Sequence, residues 1–177
     1  LVAGDGPDPA RLTASYATLC EAARRHGMTA DLEFMPWTAV PHLGAAQRIA
    51  AAAGQPNAAV LVDALHFGRS ASRLTDLKDW PRSRLNYAQI CDGKVPPPLD
   101  DAGLIFDARC ERLLPGEGGI DLVSLFATLP ADTTISIEVP SDSRAPAMGY
   151  TAWARAAIAT TDEVLGRADA LRAQLVG

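Results

Sequence analysis

The stretch Val60-Leu61-Val62-Asp63 decides the fold, because it is a short apolar run, rich in β-branched residues, that ends in a carboxylate. Runs of this length and composition are typical of buried strands. Three more runs have the same form, each with a side chain that can bind a metal: Leu32-Glu33-Phe34-Met35, Tyr87-Ala88-Gln89-Ile90 and Ile135-Ser136-Ile137-Glu138. Since the pieces between them read as helices, the pattern predicts an α/β fold with parallel strands.

The segments around these runs predict the remaining secondary structure. Asp8 is expected to cap a helix beginning at Pro9, because proline suits the first helical position. The predicted helices cover 9–27, 42–53, 120–129 and 150–175, and the predicted strands cover 28–35, 58–63, 85–91 and 133–139. The segment 66–78 reads as helix or loop. The connection 92–119 contains three consecutive prolines and is interpreted as a functional loop or lid.

Composition excludes several classes of function. The chain has 177 residues, 48% of them hydrophobic and 21% charged, which is ordinary for a globular domain. Its net charge of −5 argues against a nucleic-acid partner. We expect neither a membrane span, since no apolar run approaches the roughly 20 residues that cross a bilayer, nor a signal peptide. Three scattered cysteines, Cys20, Cys91 and Cys110, suggest reduced thiols and a cytoplasmic location.

Side chains at the ends of successive parallel strands face one pocket, which predicts a metal site. Glu33, Asp63 and Glu138 would supply three carboxylates, and Gln89 a neutral carbonyl oxygen. An all-oxygen set favours one hard divalent ion, Mn²⁺ or Mg²⁺, with Co²⁺ and Zn²⁺ as alternatives. Any one of these acids, taken alone, could instead be a helix cap or a surface carboxylate.

The loops after the strands carry candidate substrate-binding residues. His66 follows Asp63 closely and is assigned to a substrate hydroxyl or carbonyl, although a loop histidine bonded to backbone is the alternative. One of the loop cations Arg69, Lys94, Arg109 and Arg112 could neutralise a substrate phosphate or carboxylate, with Arg112 favoured, or each could be a solvated surface charge. Trp37 could form an apolar wall against a sugar ring, or belong to the core.

The chain resembles the sugar phosphate isomerase/epimerase family, the xylose isomerase-like TIM barrels. The matching stretches are 32–37 (LEFMPW), 62–67 (VDALHF), 89–92 (QICD), 112–121 (RLLPGEGGID) and 137–140 (IEVP). The resemblance implies a (β/α)8 TIM barrel, of which this chain is the C-terminal half, from the end of strand 4 to helix 8. We therefore expect 1–177 to be a single, N-terminally incomplete barrel domain, since a complete barrel typically needs about 250 residues. A complete small α/β domain is the alternative.

The two open edges of a half-barrel need a cover. We expect this cover to be either the upstream half of the same barrel or another copy of the chain in a homo-oligomer.

The resemblance also implies a reaction on a small sugar, sugar phosphate or other hydroxy-carbonyl substrate. The metal ligands implied are Glu33, Asp63, Gln89 and Glu138, with His66 contacting substrate. Glu33 and Glu138 would remove and return a proton next to a metal-bound carbonyl, through an enediolate. The first prediction is thus a metal-dependent isomerase or epimerase of carbohydrate metabolism.

Two alternatives to this reaction stay open. Many family members have histidine where this chain has Gln89, and glutamine occurs in 3-dehydroshikimate dehydratases, so a metal-dependent lyase of that type is the runner-up. A non-catalytic barrel fragment or binding module is the other.

Overall fold

A five-stranded parallel sheet organises the chain. The structure is a computed structural model that describes residues 2–4 and 6–176, so the predicted domain ends at Leu1 and Gly177 lie outside the described residues. The strands pair in chain order, every pair parallel. They are β1 (Val2–Ala3), β2 (Ala30–Glu33), β3 (Ala58–Asp63), β4 (Tyr87–Ile90) and β5 (Thr134–Ile137). The predicted α/β class with parallel strands is confirmed.

Helices connect the strands. They are α1 (Pro9–Arg24), α2 (Leu43–Ala52), α3 (Ala64–Gly68), α4 (Leu74–Lys78), α5 (Asp101–Cys110), α6 (Leu122–Thr128), α7 (Arg144–Met148) and α8 (Tyr150–Val176), with a short 3-10 helix at Arg82–Arg84. The four predicted helices are present as α1, α2, α6 and α8, and 66–78 resolves into the end of α3, a loop and α4. The cap predicted at Asp8 is also present, because its carboxylate accepts the backbone N–H groups of Ala10 and Arg11.

The connection 92–119 differs from the sequence-based prediction, which contains no helix there. Helix α5 occupies its centre and is capped by Asp100, whose side chain accepts the Gly103 N–H at 2.8 Å. A second helix without a sequence prediction, α7, follows β5. Both escape a search for amphipathic periodicity because they bury little: in each, one alanine alone is buried (Ala108 in α5, Ala145 in α7).

The central strands lie inside the core. Every residue of β2 and β3 is buried. At the amino ends of these strands the Tyr16 hydroxyl, from α1, donates to the carbonyl of Ala30 at 2.6 Å and accepts the N–H of Ala59 at 3.1 Å. This leaves the carboxyl ends of the strands as the edge where polar side chains meet. No helix in the described part of the chain is long and apolar enough to cross a membrane.

Candidate metal centre

Glu33, Asp63 and His66 come together at the carboxyl ends of β2 and β3. One potential ligand atom from each lies within 4.8 Å of the other two, and all three residues are buried. The His66 Nε2 lies 3.6 Å from Glu33 Oε1 and 4.0 Å from Asp63 Oδ1. The turn from β3 into α3 sets this arrangement, because the Asp63 side chain caps α3 by accepting the His66 N–H at 2.9 Å.

Arg112 links Glu138 to this cluster by pairing with both Asp63 and Glu138. Its Nη1 donates to Asp63 Oδ2 at 2.6 Å, and its Nη2 forms an ion pair with Glu138 Oε2 at 3.1 Å. Glu138 follows β5, and its side chain is 41% exposed, whereas those of Asp63 and Arg112 are buried. The structure therefore brings three of the predicted ligands, Glu33, Asp63 and Glu138, to one end of the sheet.

The side-chain oxygen of Gln89 indicates whether a metal ion fits this donor set. In the strand register it lies opposite Asp63, and its Oε1 is buried with no hydrogen-bond partner among the described residues. An unpaired buried carbonyl oxygen costs free energy. A cation bound between Gln89 and the carboxylates would satisfy it, so the residues present fit a divalent ion with mainly oxygen ligands.

Burial shifts the pKa values of the cluster in opposite directions. It raises the pKa of Glu33 to about 8, with the charges of Asp63 and Glu138 adding to the effect. It lowers the pKa of His66 to about 4, which leaves a neutral imidazole able to bind a metal. Burial also acts to raise the pKa of Asp63, but Arg112 and His66 outweigh it and hold that pKa below its usual value.

A cavity of about 300 Å³ opens above the cluster. It is lined by Glu33, Met35, Trp37, His66, Ala108, Arg109, Arg112, Glu138 and Pro140. Trp37 packs edge-to-face on the His66 ring, with centroids 5.1 Å apart. A larger cavity of about 640 Å³ lies beside α2 and α4 and contains none of the clustered acids. The smaller one is the candidate substrate site because it combines polar, titratable and aromatic groups.

Three predicted site residues, Asp63, Gln89 and Arg69, do not line this cavity, and Arg69 also has its ion-pair partner outside the acidic cluster. Its buried side chain forms an ion pair with Asp107 of α5 at 3.1 Å. Two features escaped sequence reasoning: His66 among the clustered donor atoms, and the two ion pairs of Arg112. The spacing Asp-x-x-His at a strand end was the available signal for the first, since it fits a capping turn.

Asp92 organises the loop that follows Arg112. Its Oδ2 accepts the N–H groups of Gly116 at 3.1 Å and Gly118 at 2.9 Å, and its Oδ1 those of Gly93 at 2.8 Å and Ile120 at 3.1 Å. A Cβ on Gly118 would lie 2.3 Å from the Gly93 carbonyl oxygen, so glycine is needed for this close approach. The loop is thereby tied to the end of β4.

Comparison with known proteins gives a family and several relatives. A family model described as xylose isomerase-like TIM barrel matches residues 4–163. An inosose isomerase of Halalkalibacterium halodurans is 29% identical over 113 residues, which are 63% of this chain and 38% of the relative.

Solved structures share the fold. The IOLI protein with a binding zinc atom has a TM-score of 0.77 at 22% identity, over 94% of this chain and 61% of that one. An L-ribulose 3-epimerase has a TM-score of 0.68 at 18% identity, over 96% and 57%. This chain thus spans less than two thirds of each of these proteins. The five described strands are the corresponding part of a TIM barrel, and the predicted fold class is confirmed.

Proposed function

The chain belongs to the xylose isomerase-like TIM barrel family, and from this premise we propose that its protein is a divalent-metal-dependent isomerase or epimerase of a small sugar or sugar phosphate. The observation that carries the proposal is the group of Glu33, Asp63 and His66 at the strand ends, within 4.8 Å of one another. The inosose isomerase and the L-ribulose 3-epimerase among its relatives support the reaction class.

The proposed metal ligands are Glu33, Asp63, Gln89 and Glu138, and His66 is close enough to complete the set. The buried, unpaired Oε1 of Gln89 supports this choice. Mainly oxygen ligands favour Mn²⁺ or Mg²⁺, whereas the imidazole of His66 and the zinc of the IOLI structure keep Zn²⁺ and Co²⁺ as alternatives. The bound ion would act as a Lewis acid that stabilises negative charge developing on substrate oxygens.

The protein's own groups would perform the proton transfer. Glu33 and Glu138 both line the cavity, so one carboxylate can remove a proton from the carbon next to the substrate carbonyl and the other can return it. With Mn²⁺ or Mg²⁺ on the oxygen ligands, the His66 Nε2 would hold a substrate hydroxyl or carbonyl, whereas in a Zn²⁺ site it would be a ligand instead. Trp37 would cover the apolar face of the sugar and exclude water.

Solvent exchange tests this function. The full-length protein is incubated in D₂O with Mn²⁺ and a panel of ketoses, ketose phosphates and inososes, and products are analysed by NMR and mass spectrometry. We expect deuterium at the carbon next to the carbonyl of one class, without loss of water. Glu138→Gln should slow exchange at least 100-fold, as removal of an acid–base group does. Glu163→Gln, exposed on α8, is the matched control and should leave the rate unchanged. Absence of exchange with every substrate would contradict the proposal.

A lyase of the 3-dehydroshikimate dehydratase type is the second candidate. Gln89 at a ligand position favours it, and so do Arg109 and Arg112 in the cavity wall, which could hold a carboxylate. The lyase would begin with the same proton removal and then expel a β-hydroxyl. An ultraviolet-absorbing catechol formed from 3-dehydroshikimate would establish it.

A non-catalytic binding module is the third candidate. It predicts the same negligible metal content in the wild type and in Glu138→Gln, measured by elemental analysis.

A further inference from the structure

Arg112 is held by protein groups on several sides. Its Nε donates to the carbonyl of Ala108 at 2.8 Å, and its Nη1 donates to Asp63 Oδ2 at 2.6 Å and contacts Cys91 Sγ at 3.2 Å. Its Nη2 pairs with Glu138 Oε2 at 3.1 Å. With only 4% of its side chain exposed, the guanidinium has a fixed position and orientation.

Arg112 engages one oxygen of each carboxylate. On Asp63 it takes Oδ2, so Oδ1 is directed to the other side, where it accepts the His66 N–H and lies 4.0 Å from His66 Nε2. On Glu138 it takes Oε2. A planar guanidinium has several donors at fixed spacing, so it can hold two separate carboxylates in a defined relative orientation.

The charges in the site agree with this arrangement. Glu33, Asp63 and Glu138 carry three negative charges when ionised, and Arg112 carries one positive charge. The resulting sum of −2 is equal and opposite to the charge of a divalent ion. Arg112 therefore offsets the repulsion between the carboxylates without occupying the side of Asp63 that faces Glu33 and His66.

We propose that Arg112 is a positioning residue for the metal site, which bridges Asp63 and Glu138 and presents their other oxygens to the ion. This inference rests on the proposed function, since it needs the divalent ion. It gives Arg112 a task distinct from neutralising a substrate anion. Groups that orient metal ligands in this way typically contribute 10- to 100-fold to metal affinity.

Metal binding by Arg112→Lys tests the inference. Lysine keeps the positive charge but has a single ammonium group that cannot bridge two carboxylates as the guanidinium does. Isothermal titration of the full-length protein with Mn²⁺ should give a Kd about 10- to 100-fold higher than that of the wild type. Arg172→Lys is the matched control, because Arg172 also binds a backbone carbonyl and an aspartate, those of Ala127 and Asp169, and contacts none of the clustered acids. Its Kd should stay within about twofold of the wild type.

The double variant Arg112→Lys/Glu138→Gln adds a test that a general loss of stability would not satisfy. If Arg112 acts through Glu138, the two losses in affinity overlap, and the double variant should lose less than the product of the single losses. Circular dichroism checks folding, and Arg112→Gln, with the same expected loss, replaces Arg112→Lys if that variant does not fold.

The outcomes separate the two proposals. Suppose that the wild type binds Mn²⁺. An unchanged Kd in the Arg112 variant, or strictly multiplicative losses of affinity in the double variant, then overturns the inference and leaves the proposed function standing. Wild type that binds none of the four candidate ions overturns the metal site itself, and the inference with it.

Discussion

The Glu33 Oε1 and the His66 Nε2 lie 3.6 Å apart, and burial shifts the pKa values of the two groups in opposite directions. The carboxyl becomes harder to ionise, with a pKa of about 8, and the imidazole harder to protonate, with a pKa of about 4. The metal-free protein near neutral pH therefore keeps a proton on Glu33 and none on His66. A binding metal ion must displace that proton, so metal affinity should rise as pH increases toward 8.

Stability of the metal-free protein should fall as pH rises from 6.5 to 8. Folding raises the pKa of Glu33 above its ordinary 4.5. The contribution of this shift to the free energy of unfolding is therefore complete below pH 4.5 and is lost as pH rises through 8. The contribution of His66 has the opposite sign and is lost only below its ordinary pKa of 6.5. Urea unfolding in EDTA should show a decrease of about 1–2 kcal/mol across this window.

Glu33→Gln should flatten this dependence, because the amide does not titrate, and Glu163→Gln should keep it. A wild type that is equally stable at pH 6.5 and 8 would contradict the pKa assigned to Glu33.

At this scale the sequence could predict which acids stand at strand ends, since strand length and polarity are local properties. Strand-end placement indicated Glu33, Asp63 and Glu138, which the structure does bring to one end of the sheet. It could not indicate that Arg112 bridges Asp63 and Glu138, because those contacts join residues 49 and 26 positions apart (112 − 63 and 138 − 112). Their roles in binding and catalysis stay predictions.

Among the elements, the loop after Arg112 depends on one carboxylate. Four backbone N–H groups converge on the buried Asp92, and three of them, those of Gly116, Gly118 and Ile120, belong to this loop. Charge-assisted hydrogen bonds of this kind are stronger than neutral ones. The Asp92 side chain therefore helps to order this segment, together with the backbone hydrogen bonds between Asp92 and Leu113 and the ion pair between Arg144 and Glu117.

Asp92→Asn should destabilise the protein by about 3 kcal/mol, because the amide nitrogen would face N–H donors that need an acceptor. Thermal or urea unfolding measures the change. Asp100→Asn is the matched control: Asp100 caps α5 through Gly103, and asparagine caps helices as well as aspartate does, so its effect should be within about 0.5 kcal/mol. Equal losses in the two variants would contradict the assigned role of Asp92.

The sequence predicted strands better than short helices. Runs such as Ala58–Asp63 are buried on both faces and leave an unmistakable apolar pattern. Helices α5 and α7 bury one alanine each, so tertiary contacts and caps define them more than periodicity does.

For the whole molecule, the sheet order places β1 and β5 at the two edges. Barrels avoid exposed edges by closing, and a TIM barrel closes with eight strands, of which five are described here. The parallel barrel class was predictable because strand and helix alternate and the family motifs span most of the chain. What covers each edge was not predictable from the sequence, because it depends on polypeptide outside these five strands or on another molecule.

A protein limited to residues 1–177 should therefore self-associate through these edges. Size-exclusion chromatography with light scattering is expected to show dimers or larger species whose proportion rises with concentration. Thr134→Lys, at the exposed start of β5, should shift the distribution toward monomer, since charged residues discourage edge pairing. A monomer at all concentrations would contradict this expectation.

The ion pair between Arg69 and Asp107 fastens α5 to the end of α3. Helix α3 carries His66, and α5 leads directly into Arg112. A displacement of α5 would therefore act on the turn that carries His66 and on the segment that carries Arg112 at the same time. Through one ion pair, the two sides of the candidate site are mechanically coupled.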